Sequence, residues 1–183
     1  MLRVTRLSIK LACSERGIAA VEFALILPVI VLIFLGAIAS FDGIRASRQV
    51  LTAADTVGDL ISRRAEMDDS ARDDMFEVAE AMLGDFTSEN ALSITMSSVF
   101  NDNGELKVLW SEPKGGATPL VDEEISTLTL PTIPEGDSVV IVRVLTQYTP
   151  MLINKAFDRI EFSDTVFVRP RFVPQIPYIE TNS

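Results

Sequence analysis

Between Phe23 and Phe41 nineteen consecutive residues carry no ionisable side chain, and the wider run Ile18–Ala39, IAAVEFALILPVIVLIFLGAIA, holds a single one, Glu22. At about 1.5 Å per helical residue the uncharged stretch spans ~28 Å, close to the ~30 Å hydrocarbon core of a bilayer. A helix apolar all round must be covered by lipid or by a large protein core, and a 183-residue chain rarely wraps one this long. The run therefore predicts a transmembrane helix over 18–41.

Charge orients it. Before Ile18 stand Arg3, Arg6, Lys10 and Arg16 against Glu15, a head of +3, which leaves −13 for the rest of a chain whose net charge is −10. A short basic head is retained in the cytoplasm and the acidic body crosses, so 1–17 is expected inside and 42–183 outside. A secretory signal also has a basic start and an apolar run, but this apolar run exceeds the usual length, and Ala37-Ile38-Ala39 is the best cleavage sequence it offers. Cys13 follows LSIKLA rather than an apolar run and reads as an incidental thiol.

Composition removes whole classes of chemistry. There is no histidine and one cysteine, so no disulfide framework, no Cys/His zinc site and no histidine acid/base catalysis is expected. The acidic balance argues against nucleic acid as a partner. No phosphate loop or convergent carboxylate set stands out, and the expectation is no enzyme, no catalytic residue, no metal and no cofactor.

Glu22 demands explanation, because a carboxylate inside an apolar segment costs up to ~3 kcal/mol on insertion. A cation at its depth would offset that cost. Arg16-Gly17-Ile18-Ala19-Ala20-Val21-Glu22-Phe23 resembles a type IV prepilin processing site: a basic head, a glycine, then an apolar helix with glutamate fifth after the glycine. The continuation, with Phe23-Ala24, Pro28 and Ala53-Ala54-Asp55, resembles the N-terminal module of the TadE/TadF minor pilins, or pseudopilins, of the tight-adherence (Tad) pilus system. Asp42 stands directly before Gly43 where many members have a carboxylate, one residue and a glycine.

The resemblance implies cleavage by a membrane prepilin peptidase between Gly17 and Ile18, with Arg16, Phe23 and Ala24 as recognition residues. The new α-amino group of Ile18 would lie four residues from Glu22, and the glutamate of one subunit would meet the terminal amine of a neighbour during assembly. Implied partners are the peptidase, other pilin and minor pilin subunits, the inner-membrane assembly platform and the lipid bilayer. Implied too are a bacterial inner-membrane location, with entry into the surface pilus, and a role in pilus assembly and adherence. The alternative is an uncleaved single-pass protein whose outer domain binds a ligand or scaffolds a complex.

Pro28 removes one helical hydrogen bond and predicts a kink. Beyond the membrane, Val50, Ala54, Val57 and Ile61 recur at helical spacing, which predicts that the helix continues over 42–64 and packs beneath an α+β domain over 65–183. Arg45, Arg48, Arg63 and Arg64 are expected on solvated or headgroup faces.

In that domain a second helix is expected over about 70–83, with Met75, Ala79, Met82 and then Phe86 on one face, N-cap choices at 68–70 and Gly84 as C-cap. Leu92, Ile94, Met96 and Phe100 alternate, Asn101-Asp102-Asn103-Gly104 marks a turn, and Leu106, Val108 and Trp110 alternate again, which predicts a hairpin. Residues 112–137 read as a loop with a short strand near 128–130. Ser138–Tyr148, apolar on both faces, predicts a central strand. Pro150–Ile153 predicts a turn, 160–169 a last strand, and the prolines at 170, 174 and 177 an extended tail. The class is α+β and pilin-like: a long N-terminal transmembrane helix followed by helix packed on an antiparallel sheet of three to four strands.

Overall fold

The computed structural model describes residues 15–84, 92–148 and 160–180. Its first element, α1 (Glu15–Ser62), is one unbroken helix of 48 residues, ~72 Å at the ordinary rise. There follow β1 (Met67–Asp68), α2 (Asp69–Leu83), β2 (Leu92–Asp102), β3 (Glu105–Lys114), α3 (Asp122–Ile125), β4 (Ser138–Tyr148), β5 (Ile160–Val168) and β6 (Tyr178–Ile179). Contacts divide the chain into Met1–Asp42 and Gly43–Ser183. The leader before Glu15 with Cys13, the side chain of Arg16, Phe86 and the 150–153 turn lie outside the described residues.

In the first unit every residue from Gly17 to Phe34 is exposed. The most apolar stretch of α1 has a mean hydropathy of 2.9 and none of it is buried within the chain, so it is no core helix of this domain. A long apolar N-terminal helix of this kind is compatible with a single membrane crossing.

In the second unit the stripe read from the sequence is buried: Val50, Ala53, Ala54, Val57 and Ile61 are at most 2% exposed. They pack on one face of an antiparallel sheet of order β3-β2-β4-β5. Gly58 lies so close to the sheet that a Cβ there would stand 2.8 Å from Val168 Cγ2, which is why this turn of helix carries no side chain. Helix α2 joins the same layer through Met75, Phe76, Ala79 and Leu83. Asp68 is its N-cap and accepts from the Ala71 N–H at 2.7 Å. Gly84 is its C-cap, as expected, in right-handed geometry at φ −54°, and its N–H donates to the Glu80 carbonyl.

β4 lies between β2 and β5, and its two apolar faces serve two cores. Val140, Val142 and Val144 meet the helices, while Val139 and Ile141 meet Leu120, Ile125 and Ile133 from the segment between β3 and β4. The hairpin forms with Asn103 at φ +54° and Gly104 at φ +92°, the double left-handed pair that a two-residue turn with matching twist requires.

Three expectations need correction. The alternation Leu106, Val108, Trp110 fails because β3 carries one extra residue, Leu109, between the pairs Ser98–Trp110 and Val99–Val108; the bulge leaves Leu106 and Val108 against the second core and turns Trp110 into the helix–sheet core. β3 extends to Lys114 and includes Pro113, tolerated because β3 is an edge strand whose outer side needs no N–H from it. No strand forms at 128–130: Leu128 and Leu130 pack against the second core from irregular backbone, and the regular element of this segment is α3, whose three first-turn acids suit a helix start.

The tail differs most from its sequence reading. Tyr178 and Ile179 pair in parallel with Met67 and Asp68, Ile176 is fully buried, and the Trp110 indole N–H donates to the Ile176 carbonyl at 2.7 Å.

Candidate functional site

The residues singled out in the sequence lie on the first two turns of α1 and the turn after Ala24. α1 is helical from the first described residue, Glu15, through Gly17 and Ile18. Gly17, without a Cβ, leaves the backbone of the Gly17–Ile18 peptide open to close approach. Gly17, Ile18, Glu22, Phe23 and Ala24 are all exposed; Ile18 and Phe23 show 57% and 61% of their surface.

Ile18 and Glu22 stand four residues apart and share one face of the helix, ~6 Å along the axis. Among the described residues no ion pair involves Glu22. The helix places this carboxylate on an outward apolar surface, beside the backbone nitrogen that cleavage after Gly17 would turn into an ammonium. Pro28 stands within the unbroken helix. With no N–H it leaves the Ala24 carbonyl without its helical donor, a backbone acceptor exposed one turn beyond Glu22. Further along, the Ser40 hydroxyl donates to the Gly36 carbonyl at 2.8 Å, and Ala53 and Ala54 are buried while Asp55 faces out.

The α+β domain holds the clearest polar constellation among the described residues. The Tyr178 hydroxyl donates to Asp69 at 2.8 Å, and the Arg72 guanidinium reaches Asp69 at 3.0 Å, Asp73 at 3.1 Å and Glu112 at 3.4 Å. Burial, reinforced by the Asp69 hydrogen bond, pushes the Tyr178 phenol up to about 12, and the hydrogen bond to Asp73 pushes Arg72 further up. Every member is already satisfied by another, so the cluster fastens the C-terminal segment to α2 and β3. No group of three or more metal-ligating side chains occurs among the described residues.

A cleft of about 530 Å³ opens between the β2–β3 turn and the 122–133 segment, lined in part by the apolar Leu106, Leu128 and Ile133 and in part by the polar Asn101, Ser126 and Asp122, the last accepting from the Val108 N–H at 2.7 Å. The sequence marked this segment as a loop with a short strand near 128–130; the recurrent leucines and isoleucines between its prolines are the signal that it folds back on the sheet.

No family model, curated protein or solved structure matches the chain. What the chain does must be argued from its residues.

Proposed function

We propose that the chain is a minor pilin or pseudopilin of the tight-adherence type, anchored in the bacterial inner membrane by 18–41 with its leader in the cytoplasm and its α+β domain outside. The carrying observation is the wholly exposed apolar helix that follows Arg16-Gly17, with one carboxylate, Glu22, a single turn past Ile18. A carboxylate on such a surface is tolerable when a cation arrives at the same depth, and cleavage after Gly17 supplies one. The Ile18 ammonium of one subunit would satisfy the Glu22 of the next, and a misregistered subunit would strand both charges. The same helix, continuing into a domain built on it, gives the pilin-like layout in which one element serves as anchor, assembly rod and domain core.

A second reading is favoured by the helical course of the chain through Gly17 and Ile18: their peptide lies inside α1, as it would in a permanently anchored scaffold or receptor. Intact mass and N-terminal sequence separate the two, measured on protein extracted from membranes and from sheared surface filaments. A chain starting at Ile18 in both fractions is expected. Met1 retained on all of the protein, confined to membranes, would replace the pilin reading with the uncleaved one.

A further inference from the structure

Strand β5 carries one residue that neither the core nor an ion pair explains. Its helix-side row reads Ile160, Phe162, Asp164, Val166 and Val168, and Phe162 and Val166 pack against the helix–sheet core, so Asp164 sets a half-buried carboxylate in an apolar row. Among the described residues no ion pair involves it. The carboxylate instead accepts from the Thr165 N–H at 2.8 Å. β5 is an edge strand with only β4 beside it, and successive N–H groups of such a strand point alternately to the neighbour and to the open side. The Thr165 N–H, ending on a carboxylate rather than on β4, belongs to the open side.

The other edge of the sheet carries the same device. On β3 the Val108 N–H donates to Asp122 at 2.7 Å, the Ser111 hydroxyl accepts from the Leu120 N–H at 2.8 Å, and Pro113 has no N–H to offer. The two edges are also matched in direction. Every pairing in this sheet is antiparallel, so β3, three pairings away, runs against β5. Two copies side by side in one orientation therefore present β5 of one to β3 of the next as an antiparallel pair. Pairing of that kind repeats from copy to copy without closing.

We propose that Asp164 and Asp122 are edge guards: each carboxylate occupies an N–H that an incoming strand of a second copy needs, and together they keep the sheets of neighbouring copies from joining into one. A strand that pairs with β5 must displace the Asp164 carboxylate from Thr165, exchanging a charge-assisted hydrogen bond for a neutral one and leaving the charge beside the new ladder. A charge set in the inward row of an edge strand is one of the means by which sheets are kept from extending. The guard is needed wherever copies share one orientation, as a single membrane crossing in each copy would impose. It does not depend on cleavage after Gly17 or on the pilin reading.

The test uses the full chain in proteoliposomes, with isotopically heavy copies carrying Asp164→Ala mixed with light copies carrying Asp122→Ala. The first set has a freed β5 edge and the second a freed β3 edge, so only the mixture pairs. A water-soluble carbodiimide, which joins ammonium to carboxylate, is expected to give light–heavy pairs about tenfold above the parent chain or either variant alone, linking Lys107 or Lys114 of the light chain to Glu161 of the heavy one. Asp164→Asn mixed with Asp122→Asn keeps a carbonyl acceptor at each place and should stay at the parent level. In the parent chain itself the Thr165 amide should exchange its hydrogen about tenfold more slowly than those of Ser163 and Phe167 on the same open edge, a readout that needs neither variant to fold. No light–heavy pairs from variants with parental Trp110 fluorescence, links mapping elsewhere, pairing of either variant alone, asparagine variants that pair like the alanine ones, or equal exchange of the three amides would each overturn the proposal.

Discussion

Replacing Ile176 by alanine tests whether the C-terminal segment belongs to the core or merely drapes over it. The side chain is fully buried among the residues of the helix–sheet core, and the substitution removes three carbons. At ~0.8 kcal/mol for each buried methylene the lost transfer energy is about 2.4 kcal/mol. An unrelaxed cavity of roughly 70 Å³ at ~24 cal/mol per Å³ adds about 1.7 kcal/mol, for a total near 4 kcal/mol. The neighbouring backbone is pinned against collapse by the Trp110 indole on the Ile176 carbonyl and by the Met67 N–H on the Pro177 carbonyl at 2.9 Å. A loss of about 3 to 4 kcal/mol is therefore expected, against a total stability of order 5–15 kcal/mol. Urea unfolding of the full chain in detergent micelles reads it directly, because Trp110 is the chain's one tryptophan and lies in this contact, 6.0 Å from the Tyr178 ring. With a slope of ~2 kcal/mol per molar the midpoint should fall by about 1.5–2 M at unchanged slope. A shift below about 0.5 M would refute the burial of Ile176 and with it the fastening of the tail.

Tyr178 gives the same contact a pH signature: its phenol is raised from 10.0 to about 12, so the folded state holds this proton more tightly than the unfolded one. The stabilisation is complete below pH 10 and is lost as pH climbs from 10 towards 12; thermal melts of Tyr178→Phe should show a shallower decline over that window than the parent. Ser98 carries a fully buried hydroxyl with no hydrogen-bond partner, so Ser98→Ala should be neutral or stabilising by up to ~1 kcal/mol in the same urea assay, and a loss above that would mean the hydroxyl is paired. Under the pilin reading Gly17→Ala should slow leader removal, seen as unprocessed chain in membranes by mass. Glu22→Ala should be processed yet fail to enter filaments, and normal piliation in that variant would remove the charge-pairing argument.

The sequence was most legible where one local rule was enough. The uncharged run of 23–41 needs only counting. The α1 stripe, the Asn103-Gly104 hairpin and the centrality of Ser138–Tyr148 each follow from a single period or a turn chemistry. The candidate residues Gly17, Ile18, Glu22 and Pro28 share one short helical segment, so their mutual placement was readable too, although what they do was not. It was least legible where one segment answers to another far away in the chain. The bulge at Leu109 depends on how β3 meets β2, and no strand forms at 128–130 because Leu128 and Leu130 find their core without pairing.

Sequence alone determined that this chain carries a long apolar helix with one carboxylate near its start, has no histidine and a single cysteine, and holds a small α+β domain after the helix. These are consequences of side-chain type and of spacing within a few turns. The tertiary structure alone decided the strand order β3-β2-β4-β5, the pairing of β6 with β1, the burial of Ile176 and the outward display of Phe172. Neighbours in a tail punctuated by prolines, Phe172 and Ile176 are both large and apolar; Ile176 is a core residue and Phe172 is exposed. Local pattern cannot separate them, because burial is set by what packs against a residue from distant parts of the chain: Trp110 and the α2 layer for Ile176, and nothing at all for Phe172 among the described residues.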